Sequence, residues 1–164
     1  MRTLIIYASK TGTAKKCAAL LAANLGAENC ELFEINSGEP ELSGFDRCAV
    51  GSYIRMGVID KKISAFLTKR RDELFSMKFG VFLCGCLEDK VSEAIVKNLN
   101  DDFLEHAVCV EYFGGELHPE KYGGVEKLFM KSVLKISGKD PSFKITDKIL
   151  PDNITAFSAE LSSG

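Results

Sequence analysis

Thr3-Leu-Ile-Ile-Tyr-Ala8, then Ser9-Lys-Thr-Gly-Thr13, then Ala14: an apolar run, a hydroxyl-rich turn and the start of a helical pattern follow one another without a gap. The apolar run reads as a buried strand. A strand, a small polar turn and a helix N-terminus together make an anion site. The free N–H groups of the first helical turn point at the anion, and the helix dipole favours it. Ser9, Thr11 and Thr13 add hydroxyl donors, and Gly12 lets the backbone approach closely. Neither Gly-x-x-x-x-Gly-Lys-Ser/Thr nor Gly-x-Gly-x-x-Gly is present. Hydroxyls stand where those loops carry glycine, and the only lysine is Lys10. That composition suits a single phosphate monoester held by many hydrogen bonds, without Mg²⁺. The plainer reading is that Thr11 or Thr13 only caps the helix.

Outward from this stretch the chain alternates. Ala14, Cys17, Ala18, Leu21 and Leu25 share one helical face, and Gly26 reads as the C-cap. Residues 30–35 and 46–52 read as strands, the second around Cys48-Ala-Val50. Residues 52–58 read as a polar loop. A helix is predicted over 60–74 from Ile63, Phe66, Leu67 and Leu74, then a strand over 78–84 and a polar loop at 85–89. A second long helix is predicted over 89–103, burying Val91, Ile95, Leu99 and Phe103. A strand over 107–113 is broken by Gly114-Gly115. Tyr122 to Ile136 reads as an amphipathic helix, Phe143 to Ile149 as a short connection or edge element, and a last helix opens at Pro151. Five short strands with nearly continuous apolar cores imply a doubly wound five-stranded parallel sheet with helices on both faces. In such α/β folds a ligand lies beyond the carboxyl ends of the strands. The loops 9–13, 52–57 and 85–89 all follow strands, so one ligand can touch all three.

The chain has 164 residues, 46% hydrophobic and 27% charged, with a formal net charge of −2. This implies one domain over 1–164 and argues against nucleic acid as the main partner. No apolar run approaches the roughly 20 residues that cross a bilayer. Arg2 is followed by too few apolar residues for a signal peptide, so a cytoplasmic location is expected. Of the six cysteines, Cys17, Cys48 and Cys109 read as small buried hydrophobes. Cys-x-x-Cys is absent, and His106 and His118 lack ligand spacing, so zinc is not expected. Neither histidine has the neighbours of a hydrolytic triad.

The arrangement resembles the flavodoxin family, in which one FMN lies across these loops. A closer likeness is to the flavodoxin-like, menaquinone-dependent protoporphyrinogen oxidases. Gly51-Ser-Tyr-Ile-Arg-Met-Gly57 looks like their second flavin loop. Phe129-Met-Lys-Ser-Val-Leu-Lys-Ile-Ser-Gly138, with Tyr122 upstream, looks like their penultimate helix. The resemblance implies that Ser9, Lys10, Thr11, Gly12, Thr13 and Ala14 form the phosphate loop. It implies that Ser52, Tyr53, Ile54, Arg55, Met56 and Gly57 flank one side of the isoalloxazine. Cys84, Gly85, Cys86 and Leu87 would meet the other side or the pyrimidine edge, and Gly115 and Glu116 would close around the ring. The chain departs from those oxidases after the fourth strand: Leu87 to His106 is shorter and mixed in charge.

Two readings of function follow. One is an oxidoreductase acting on a bulky organic substrate such as protoporphyrinogen, with quinone as acceptor. The other is an electron-transfer flavodoxin serving a redox partner protein. A flavin-free binding or structural domain is a third. Tyr53 or Met56 would pack on the ring. Arg55 would stabilise an anionic reduced flavin, bind a substrate carboxylate, or be solvated. Cys84 and Cys86 read as two ordinary thiols, one buried and one lining the site. Lys127, Lys131 and Lys135, extended by Lys121 and Lys139, form a solvated face or a docking patch for an acidic partner or a membrane surface.

Overall fold

The computed structural model describes residues 1–121, 123–138 and 145–163. Its elements are β1 (Thr3–Tyr7), α1 (Thr13–Leu25), β2 (Cys30–Glu34), β3 (Arg47–Arg55), β4 (Val58–Ile59), α2 (Lys61–Lys69), α3 (Arg71–Phe75), β5 (Lys78–Cys84), α4 (Val91–Asn98), α5 (Asp101–His106), β6 (Cys109–Tyr112), β7 (Gly114–Gly115), α6 (Gly124–Ser137), β8 (Lys148–Ile149) and α7 (Pro151–Ser162). Five strands pair in parallel in the order β2-β1-β3-β5-β6, the doubly wound arrangement expected. Residues Tyr122, Lys139 and Phe143 lie outside the described set.

The central strands are apolar on both faces because both faces are covered. Leu4, Ile6, Cys48, Val50, Phe79, Val81 and Leu83 pack with Ile63, Phe66 and Leu67 of α2, Leu74 of α3 and Phe103 of α5. Ile5, Tyr7, Ala49, Phe82 and Cys84 alternate with them and meet Ala14, Cys17, Ala18 and Leu21 of α1 and Ile154, Phe157 and Leu161 of α7. On this second face small residues leave room for aromatic rings. Phe82 stacks on Phe113 at 4.6 Å, and Phe157 meets Phe113 edge-on at 5.2 Å. At the opposite end of the sheet from the loops, buried Arg47 donates to Thr3 Oγ1 (2.6 Å), Ser162 Oγ (2.8 Å) and the Leu161 carbonyl (3.4 Å). A guanidinium at the C-terminus of α7 satisfies carbonyls that the helix leaves open and ties it to the sheet.

Three local expectations are corrected and a fourth is extended. Residues 52–58 are not a loop: β3 runs on to Arg55 and turns through Met56 (φ 51°) and Gly57 (φ 74°) into antiparallel β4. Two successive positive φ angles are the hairpin turn that matches strand twist. The helix over 60–74 breaks at Arg70, whose side chain is engaged by Glu39, Glu41 and Glu73. The helix over 89–103 breaks at Leu99, which turns extended to enter the core, and Asn100 caps α5 through the Phe103 N–H (3.2 Å). Gly114-Gly115 does end the parallel strand, and it also pairs antiparallel with β8.

Because β7 leaves the sheet directly after β6 and β8 feeds directly into α7, the segment between them is an insertion on the fold. Its helix α6 lies on that segment. Among its described side chains Val133 is buried, whereas Val125 (86%) and Leu128 (68%) are largely exposed. No helix of the described residues is long and apolar enough to cross a membrane.

Candidate functional site

The phosphate-loop stretch sits where β1 delivers it, at the carboxyl end of the sheet. Ser9 Oγ folds the turn on itself by accepting the N–H groups of Gly12 and Lys15, each at 3.2 Å. Gly12 takes φ 104°, in the left-handed region, and stands at the cap position of α1 with no side chain of its own to close the helix start. The hydroxyls of Thr11 and Thr13 lie 3.4 Å apart. Thr13 and Ala14 are buried, and the first turn of α1 carries no acidic residue. Lys10 has its pKa lowered, first by partial burial and then by the charge of Arg55, so the first loop and the β3–β4 hairpin bring two cations close together. Clustered hydroxyls, a helix start with glycine at its cap position and two nearby cations are a donor set that fits a phosphate monoester.

The hairpin residues divide. Ser52 is fully buried, and its hydroxyl donates to the Tyr53 carbonyl (3.0 Å) and accepts the Asp60 N–H (2.9 Å). The Tyr53 phenol donates to Asp60 Oδ2 (2.8 Å) and its ring packs on the α2-side core. Asp60 in turn caps α2 through the Lys62 N–H (2.8 Å). Ser52 and Tyr53 are thus engaged in holding hairpin and helix together, while Met56 at the tip is 70% exposed. Ile54 lies against Gly85, so the second and third loops touch.

The third loop is tied down from behind. The Gly85 N–H donates to the Gly114 carbonyl (3.0 Å), the Tyr112 phenol donates to the Gly85 carbonyl, and the Thr146 N–H donates to the Cys86 carbonyl (2.8 Å). Leu87 bridges to Ile145, and Thr146 Oγ1 donates to Glu88 (2.8 Å). Gly115 packs so closely on the Gly85–Cys86 peptide that a Cβ there would overlap its backbone. Cys84 is buried with Cys17 as hydrogen-bonding neighbour, and that contact together with burial pushes its thiol well above the ordinary value. A thiol held protonated is a poor nucleophile. Cys86 is half-buried.

Glu116 lies at the rim, paired to Lys16 at 2.9 Å and to His118 at 3.5 Å, and the Lys16 bond leads in holding its carboxyl below the usual range. His118 also meets Glu120 at 3.3 Å. The ammonium of Lys121 donates to the Thr11 carbonyl within the phosphate-loop stretch itself. The expected basic patch is therefore split: Lys121 turns to this loop, Lys127, Lys131 and Lys135 remain on the exposed side of α6, and Lys139 lies outside the described residues. The Lys16–Glu116 and Lys121–Thr11 contacts, about 100 residues apart in the chain, have no local sequence signal.

The phenols of Tyr53 and Tyr112 are both pushed up to about 12, each chiefly by burial; the bond to Asp60 adds for Tyr53, and nearby thiol and carboxylate charges for Tyr112. A raised folded-state value means stability that is complete below the ordinary tyrosine pKa of about 10 and is lost as pH rises through about 12. Ultraviolet titration of the native protein is expected to leave these two phenols protonated at pH 10.5. Their ionisation there, with the fold intact by circular dichroism, would contradict the placement.

A doubly wound α/β sheet whose strand ends converge on a phosphate-type donor set is the architecture of nucleotide-holding α/β proteins. Residues 4–144 match the family model described as "Flavodoxin domain", and the chain belongs to that family. No curated protein matches the sequence. Among solved structures it is similar to flavodoxin from Fusobacterium nucleatum, determined bound to flavin mononucleotide: 14% identity over 98% of this chain and 96% of that one, TM-score 0.57. It is also similar to oxidised flavodoxin 2 from Bacillus cereus: 19% identity over 99% and 98% of the two chains, TM-score 0.56. Oxidised flavodoxin 1 from the same organism gives 17% identity over 98% and 97%, TM-score 0.53. At these identities the likeness is one of fold.

Proposed function

We propose that the protein is an FMN-binding electron carrier of the flavodoxin type. The observation that carries this reading is the Ser9–Ala14 stretch: its hydroxyls, its left-handed glycine and the first turn of α1 are grouped at the carboxyl end of β1. In this reading Ser9, Thr11, Gly12, Thr13 and the N–H of Ala14 hold the phosphate, with Lys10 alongside. Ile54, Arg55, Met56 and Gly57 border the ring on one side. Gly85, Cys86 and Leu87 border it on the other, and Glu116 stands at the rim. FMN supplies the electron chemistry, and the protein supplies binding, orientation and local charge. The cations Lys10 and Arg55 favour added negative charge at the site.

The carrier reading is preferred to the protoporphyrinogen oxidase reading. The family match is to the flavodoxin domain as a whole, and no feature of the site calls for a bulky organic substrate. The exposed Lys127, Lys131 and Lys135 of α6 suit an acidic redox-partner protein. The test is an absorption spectrum of the purified protein, before and after adding FMN and removing the excess. Retained bands near about 370 and 450 nm are the expected result. A protein that retains no flavin returns the chain to a flavin-free binding or structural role. A flavin-loaded protein that oxidises protoporphyrinogen with quinone as acceptor would replace the carrier by the oxidase.

A further inference from the structure

Residues 116–121 cross from the end of β7 to the phosphate-loop stretch, and both ends of the crossing are fastened there. At one end Glu116 pairs with Lys16 in the second turn of α1, with both carboxylate oxygens within 3.0 Å of the ammonium. At the other, Pro119–Lys121 forms a short 3₁₀ turn, closed by the Lys121 N–H on the His118 carbonyl (2.9 Å), which presents the Lys121 side chain to Thr11. The Lys121 ammonium is 3.7 Å from where a Cβ on Gly12 would stand, so it sits over the one residue whose missing side chain opens the turn. An ammonium has three N–H donors. The Thr11 carbonyl takes one, and the group can donate to an anion as well. Of the carboxylates on the same segment, Glu116 is paired with Lys16, and Glu120 stands exposed. The crossing thus delivers a cation to the turn.

We propose that Lys121 is a charge-reading clamp for the phosphate of the bound nucleotide, making the protein select FMN over riboflavin. The inference rests on the FMN reading and deepens it. A phosphate monoester carries close to two negative charges at neutral pH. An ammonium already held at the turn meets that charge with little ordering cost, so its contribution falls on the phosphate and not on the ring. Binding of FMN therefore weakens with added salt more steeply than binding of riboflavin, which has the same ring and no phosphate.

The experiment titrates FMN and riboflavin by fluorescence quenching, at low and at physiological ionic strength, into the wild type, Lys121→Met and Lys121→Arg. Lys121→Met is expected to bind FMN about tenfold more weakly, the scale of one charge-assisted hydrogen bond, with riboflavin affinity unchanged and a shallower salt dependence for FMN. Lys121→Arg keeps the charge and restores most of the FMN affinity. Unchanged FMN affinity in Lys121→Met overturns the inference while leaving the carrier reading intact. So does an equal loss for both flavins, which would mean that Lys121 only shapes the turn. A wild type that binds neither flavin overturns the carrier reading and this inference together.

Discussion

Gly51→Val is expected to leave little folded protein at 25 °C. Gly51 lies in the middle of β3, directly opposite Phe82 on β5, and a Cβ built on it would stand only 2.0 Å from Cζ of the Phe82 ring. Phe82 is fully buried and has nowhere to go: it stacks on Phe113, and Phe157 closes the cluster from α7. Overpacking of a filled core costs about 1–3 kcal/mol for added methylenes, and more where the neighbour is a rigid ring. Gly51→Ala adds one carbon and is expected to cost about 2 kcal/mol, less the fraction of a kcal/mol that alanine gains over glycine in a strand. Valine adds three carbons and approaches the whole stability of an ordinary domain, about 5–15 kcal/mol. Urea midpoints for Gly51→Ala, Phe82→Leu and the double variant check the mechanism. If the clash is the cause, the smaller side chain at 82 recovers part of the loss and the pair is non-additive. Additive losses would show that the strain lies elsewhere.

Gly12→Leu is expected to lower FMN affinity about 100-fold while leaving the fold intact. At φ 104° a side chain strains the backbone by about 1–2 kcal/mol, and the turn relieves this by rotating. Rotation moves the Gly12 N–H off Ser9 Oγ and re-aims the first N–H groups of α1. The leucine carbons also extend toward the Lys121 ammonium. Loss of about two phosphate contacts, at roughly 1.4 kcal/mol each, gives the 100-fold figure. The site is at the surface, so the urea midpoint shifts by no more than the strain itself. Equal FMN affinity in wild type and variant would remove the phosphate from this turn and with it the main support for the proposed function.

The two variants separate what a local pattern can carry from what it cannot. The three central parallel strands are legible because each, as in Leu4-Ile-Ile6 or Cys48-Ala-Val50, is apolar at consecutive positions, as a sheet covered on both faces asks, while the outer β2 and β6 carry glutamates among their apolar residues. The hydroxyl-rich turn at 9–13 between strand and helix is legible because its residues are contiguous. The hairpin at Met56-Gly57 is less so, because a polar strand end and a polar loop have the same composition. Helix breaks at Arg70 and Leu99 are invisible to periodicity because tertiary partners, the Glu39–Glu41–Glu73 cluster in one case and the core in the other, outweigh local propensity.

Ser52 and Tyr53 are site residues by what the family resemblance implies. Only the folded chain reveals that Asp60 engages both. Helix α6 has a good amphipathic period, yet among its described side chains Val125 and Leu128 are exposed and Val133 is buried, on a segment between β7 and β8; pairing over long separations is outside any sequence window. The sequence by itself determined the doubly wound sheet and the chemistry of the turn after β1, since both are written in adjacent residues. Tertiary structure alone decided that Glu116 and Lys121 return to that turn, because contacts across about 100 residues depend on where the whole sheet places its ends.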